Sequence, residues 1–145
     1  SAPDMCGSKR ANAYSRHLQS EMVLCYKLIK KPNVIEEMSI IGEVDGRNVI
    51  IVDDMVDTAG TLVLAADMMM ERGAKSIRAF ATHPILSGNA VERINKSAIE
   101  ELVVTDSIPL TIHSDKIKVL SIADIFAKTI QAVNTNSSIS TNFVF

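Results

Sequence analysis

The chain has 145 residues, 47% of them hydrophobic and 22% charged, with a formal net charge of -2. That is the length of one domain with enough apolar content for a core that needs no metal or disulfide, and the balance excludes disordered, collagen-like and coiled-coil classes. Aromatic residues are only 4% and Trp is absent, which argues against a base-stacking surface, as the acidic balance argues against a nucleic-acid partner.

In chain order, Ser8 to Leu18 reads as a helix and Met22 to Leu28 as a short apolar strand. The sequence around Arg47 to Asp54 holds Val49-Ile50-Ile51-Val52, a β-branched run of the kind buried on both faces of a parallel sheet. Gly60 to Arg72 is helical, with Gly73 as its stop. Ser76 to Thr82 is a strand, Asn89 to Ile99 a helix, Leu102 to Thr105 and Ile117 to Leu120 strands, and Ile122 to Val133 a helix. Asn134 to Ser140 is small and polar and reads as a loop or tail. This alternation predicts one α/β domain over residues 1–145, a doubly wound, mostly parallel sheet with helices on both faces. The first helix follows Ser1-Ala2-Pro3-Asp4 with no strand ahead of it, so the expectation is a fragment beginning at a strand end. No apolar run approaches the ~18 residues of a membrane helix, and no secretion signal opens the chain. Cys6 and Cys25 lack disulfide or zinc spacing and read as buried thiols in a reducing cytoplasm.

The most informative segment joins the apolar run to Asp53-Asp54-Met55-Val56-Asp57-Thr58-Ala59-Gly60-Thr61 and then a helix. The first N–H groups of a helix have no internal acceptor and can hold a phosphate monoester. Gly60 allows close backbone approach, and Thr58 and Thr61 add hydroxyl donors. A strand ahead of the turn puts it at the carboxyl edge of the sheet, where ligands of open α/β folds bind. Carboxylates there suit sugar hydroxyls or Mg2+. Neither a Walker loop nor a G-x-G-x-x-G turn is present.

That segment resembles the signature of type I phosphoribosyltransferase folds, and its Asp-Asp form is similar to the ribose-phosphate pyrophosphokinase family. Ala2-Pro3-Asp4-Met5-Cys6-Gly7 with Lys9-Arg10-Ala11, Ala81 to Gly88, Thr105-Asp106-Ser107-Ile108-Pro109, and Ser138-Ile139-Ser140 with Phe143 resemble further segments of the same family, in order. The match is to the C-terminal half of a family member. The resemblance implies an enzyme that joins ribose 5-phosphate to the pyrophosphoryl group of MgATP, giving phosphoribosyl pyrophosphate and AMP. It further implies a cytoplasmic homo-oligomer, a hexamer in the intact family, with no membrane or nucleic-acid partner. By position, Asp57, Thr58, Ala59, Gly60 and Thr61 would cradle the 5-phosphate, and Asp53 and Asp54 would orient the ribose hydroxyls. Asp4 would be a Mg2+ ligand, Lys27 the catalytic lysine, and Ser138, Ile139, Ser140 and Phe143 part of an allosteric site. The ATP site would lie in the other half, so the chain alone is expected to bind ribose 5-phosphate without turnover.

One position departs from the pattern. Where the family has arginine two residues after its lysine, this chain has Ile29, which cannot donate to a phosphate. That keeps a non-catalytic regulatory subunit of the same assembly as an alternative; a base-using phosphoribosyltransferase is a third. His83 is expected to cap a loop, His17 and His113 to lie on the surface, Met68-Met69-Met70 to pack a helix, and Ser87-Gly88 to form a helix entry.

Overall fold

The computed structural model describes residues 8–28 and 37–140, and all statements below concern them. The elements are α1 (Ser8–His17), β1 (Leu24–Leu28), β2 (Glu37–Ile41), β3 (Asn48–Val56), α2 (Gly60–Glu71), β4 (Ser76–Pro84), α3 (Ala90–Lys96), β5 (Ile99–Thr105), β6 (Ile117–Leu120) and α4 (Ala123–Asn134). β3, β4, β5 and β6 form a parallel sheet in that order.

The sheet has two unlike faces. Val49, Ile51, Ile77, Ala79, Ala81, Leu102 and Val104 share one face and join Leu62, Ala65, Ala66 and Met69 of α2 and Ala90, Val91 and Ile94 of α3 in a single core. On the other face lie Val52 and Val103, buried outside that core. There α1 covers only part of the sheet, above a 130 Å³ cavity lined by Arg10, Tyr14, Val52, Phe80 and Val103 among others. The α/β architecture with helices on both faces is therefore as the residue pattern predicts.

Two expectations need correction. β1, within the predicted strand Met22 to Leu28, pairs antiparallel with β2 in a separate hairpin rather than joining the parallel sheet, and β2 is an element the residue pattern does not predict. The alternation of buried Met38 and Ile40 with exposed Ile41 is the signal for β2, too short to stand out. The helix at Asn89 to Ile99 stops at Lys96, because the Ser97 hydroxyl donates to the Ile94 carbonyl at 2.8 Å and accepts from the Ile99 N–H at 3.2 Å. That turn releases Ile99, fully buried, into β5. The apolar stripe of α4 does not reach the core: Ile125, Phe126, Ile130 and Val133 are each about three-fifths exposed, and the helix buries no side chain.

Gly73 ends α2 at φ +91°, and the N–H groups of Gly73 and Ala74 donate to the carbonyls of Met70 and Met69. A methyl group there would run into the Asp45 carboxylate. Gly73→Ala is therefore expected to cost about 1–2 kcal/mol in urea unfolding, from the left-handed backbone and that contact.

α4 is tethered at its start by Asp106, whose carboxylate accepts from the Ile122 N–H at 2.9 Å. Hydrogen bonds from the Ser121 side chain and then the Ile122 backbone hold the Asp106 pKa below its ordinary 3.8. A depressed carboxyl pKa contributes stability that is full above the ordinary value and lost as pH falls through the lower folded value. The melting-temperature difference between the native chain and Asp106→Asn should thus be constant from neutral pH down to about pH 5 and close below the ordinary carboxylate range.

Candidate functional site

β3 runs to Val56, past the expected end at Asp54, so the acid pair stands on the strand itself and only Asp57, Thr58 and Ala59 form the turn into α2. The predicted residues Asp53, Asp54, Asp57, Thr58, Ala59, Gly60 and Thr61 all line one cavity of about 340 Å³, closed by Leu62. Ala59 takes a left-handed conformation at φ +59° and is 4% exposed, a non-glycine strain of the kind concentrated at ligand sites. No side chain caps α2. The first helical bond runs from the Val63 N–H to the Ala59 carbonyl at 3.0 Å, so the amides of Gly60, Thr61 and Leu62 precede it and point out of the helix end. A Cβ on Gly60 would meet only Arg93 Nη1 at 3.5 Å and Thr58 Oγ1 at 3.8 Å. Packing within the fold therefore does not demand glycine at this position.

The turn is held from outside. The Leu86 and Ser87 amides donate to the Val56 and Asp57 carbonyls at 2.9 and 3.1 Å. The Ser87 hydroxyl donates to Asp57 Oδ1. Ser87 is thus a brace for the turn, and the expected helix-entry role falls instead to Asn89, which makes no side-chain cap. Arg93 of α3 donates from Nη1 to the Thr58 carbonyl at 3.0 Å. These partners are 30 and 35 residues from the turn, so no local spacing announced them. Arg93→Met is expected to loosen the turn, read as faster amide exchange at Gly60 to Leu62, through loss of a charge-assisted hydrogen bond, while changing stability by less than about 1 kcal/mol.

The acid pair has its own cation. Arg10 of α1 stands 3.8 Å from Asp53 and 3.5 Å from Asp54. A hydrogen bond shared with the Asp53 side chain lowers the Asp54 pKa, against a smaller upward push from burial and with help from Arg10. Asp54, half exposed, is therefore ionised near neutrality and available as an acceptor. Carboxylate oxygens are the donor type Mg2+ prefers, and that ion commonly takes one or two carboxylates with the remainder from substrate phosphates and water. No group of three or more His, Cys, Asp or Glu among the described residues could enclose a metal.

The remaining predicted residues are not gathered here. Lys27 lies in β1 opposite Met38. Asp4, Cys6, Ile29 and Phe143 lie outside the described residues. Ser138 and Ser140 share a 2.8 Å hydroxyl contact beyond α4, with Ile139 between them. At the neighbouring strand ends His83 Nδ1 lies 2.9 Å from the Ser107 hydroxyl, which also donates to the Thr82 carbonyl at 3.0 Å, tying two loops together as expected for a structural histidine. His17 and His113 are exposed, Cys25 is a buried thiol, and Met69 is fully buried in the core. No helix among the described residues is long and apolar enough to cross a membrane.

Comparison with known proteins bears on the same residues. The phosphoribosyl synthetase-associated domain family matches residues 2–144. A ribose-phosphate pyrophosphokinase of Porphyromonas gingivalis is 48% identical over 143 residues, covering 99% of this chain and 46% of that protein. One from Burkholderia pseudomallei is 48% identical over 145 residues, again 46% of its length. A crystal structure of phosphoribosylpyrophosphate synthetase from Mycobacterium smegmatis superposes with a TM-score of 0.85 at 32% identity, over 94% of this chain and 44% of that one. The chain thus spans about half the length of the curated relatives it matches. With the family model matching nearly the whole chain, the chain belongs to the phosphoribosyl synthetase-associated domain family.

Proposed function

We propose that this chain is the ribose-5-phosphate-binding, C-terminal half of a ribose-phosphate pyrophosphokinase. The observation that carries the reading is the single cavity in which the outward amides of α2, two threonine hydroxyls and the Asp53–Asp54 pair converge. The 5-phosphate sits on the amides and hydroxyls of Asp57 to Thr61, and the ring hydroxyls donate to the carboxylates. In the reaction, the anomeric oxygen bonds to the β-phosphorus of ATP. The bond from that phosphorus to the bridging oxygen breaks, AMP leaves with the oxygen, and the hydroxyl proton passes to water. Such transfer depends on positioning and charge neutralisation. Mg2+, held with Asp4 and the acid pair, would supply charge neutralisation on the phosphoryl oxygens. Lys27 would neutralise the transferred group, and the residues contacting ATP belong to the other half. The reading carries with it a cytoplasmic homo-oligomer and an allosteric role for the Ser138 to Phe143 tail.

Titration calorimetry of the 145-residue chain should show binding of ribose 5-phosphate, none of ribose, and no AMP release on adding MgATP. Equal affinity for ester and free sugar, or no binding of either, overturns the proposed site; AMP release overturns the division of labour. Ile29 favours one second reading, a regulatory subunit that binds without turnover. AMP release by the full-length protein decides for the enzyme, and binding without release decides for the subunit.

A further inference from the structure

We infer that Arg72, at the end of α2 remote from the β3–α2 turn, is a positioning residue that fixes the β1–β2 hairpin and with it Lys27. The inference rests on the reading above in taking Lys27 as the residue that neutralises the transferred group. The first observation is a bond across the chain. Arg72 donates from Nη1 to the Ile40 carbonyl in β2 at 2.8 Å, between residues 32 apart in sequence. The bond is partly shielded from water, which strengthens the hold of a charged donor. β1 and β2 form a two-stranded sheet of their own, a unit that is marginal without outside support. Cys25, Met38 and Ile40 give it apolar support by joining the core. Apolar burial is non-directional, so the angle of the hairpin is left to directional contacts such as this one.

The second observation is a joint that the bond spans. Gly42 follows β2 at φ +119°, and a Cβ there would meet Val23 Cγ2 at 3.1 Å, so the chain leaves the hairpin through a residue free of side-chain constraint. Past this joint the chain is tied to the end of α2. The Gly46 N–H donates to the Gly73 carbonyl and the Lys75 N–H to the Arg47 carbonyl, both at 2.8 Å. Arg72 belongs to that block and Ile40 to the hairpin, so their bond locks the joint between them. Its leverage is short. Ile40 pairs with Cys25, and Lys27 pairs with Met38. The held pair is therefore two residues, about 7 Å of strand, from the pair that contains Lys27.

The third observation separates this role from substrate binding. α2 has 12 residues from Gly60 to Glu71, about 18 Å of helix. The cavity lined by Asp57 to Thr61 lies at one end and Arg72 caps the other. Arg72 therefore cannot touch a sugar phosphate held at the turn, and its loss should act on transfer and leave binding alone. The neighbouring Arg47–Glu21 ion pair, at 3.1 Å, is half exposed or more on both sides and should hold the hairpin little. It serves as a control.

The test has two arms. In the full-length protein, Arg72→Met should lower kcat for AMP release about tenfold and leave KM for ribose 5-phosphate within about twofold. Arg72→Lys keeps a cation with a donor of similar reach and should recover most of the loss. Arg47→Met should leave both constants within about twofold. In the 145-residue chain, Arg72→Met should speed amide exchange in Leu24 to Leu28 and Glu37 to Ile41 about fivefold or more and leave Gly60 to Leu62 unchanged. An unchanged kcat, a KM that rises as much as kcat falls, no recovery with lysine, an equal loss in Arg47→Met, or unchanged exchange in the hairpin would each overturn the inference. If the native full-length protein releases no AMP, the proposed function falls, and the exchange arm still decides whether Arg72 fixes the hairpin.

Discussion

Thr61→Asp is expected to lower the affinity for ribose 5-phosphate at least about 100-fold while leaving the fold as stable as before. Thr61 is the second residue of α2, in the cavity at the carboxyl end of β3. A carboxylate in the first turn of a helix is favourable by about 0.3–1 kcal/mol. Facing a bound phosphate at about 4 Å in a partly solvated site, the same charge costs about 4 kcal/mol. The substitution therefore separates folding from binding, with opposite signs. Calorimetric titration with the sugar phosphate, paired with urea unfolding, reads both. An unchanged affinity would remove the phosphate from this turn, whereas a joint loss of stability and binding would mean that the turn is merely structural.

Ile77→Ala should cost about 2–5 kcal/mol, a large fraction of the 5–15 kcal/mol typical of whole domains. Ile77 is fully buried in β4, opposite Val49 and Ile99 in the flanking strands. The cavity left by its removal is shared by three strands and cannot close without shifting the ladder. A fall of about 10 °C in melting temperature is the matching thermal result. Phe126→Ala, which removes a larger side chain, should change stability by less than about 0.5 kcal/mol, because Phe126 is 58% exposed on α4. If the two substitutions cost the same, α4 packs against the domain and its exposed face is not what the structure shows.

The turn from β3 into α2 was legible residue by residue because its signals are local. A β-branched run, paired acids, a Thr-x-Gly-Thr turn and a helix follow one another within fourteen positions or so, and each acts on its immediate neighbours. The helices and the parallel strands were legible for a similar reason: burial on one or both faces imposes a period that composition exposes. The same reasoning failed where the deciding partner is distant. Nothing around Arg93 or Ser87 says that they hold the turn, because their bonds span 35 and 30 residues. The antiparallel pairing of the Met22 to Leu28 strand was not legible, since a period of two is common to parallel and antiparallel pairing alike. The exposure of α4 was not legible either, because periodicity reports which side of a helix is apolar and not what lies opposite it. Sequence by itself thus determined where the strand-to-helix turn and its acid pair fall, since adjacent residues suffice to specify them. Tertiary structure alone decided which cations and hydroxyls brace that turn, because those depend on segments brought together only when the sheet forms.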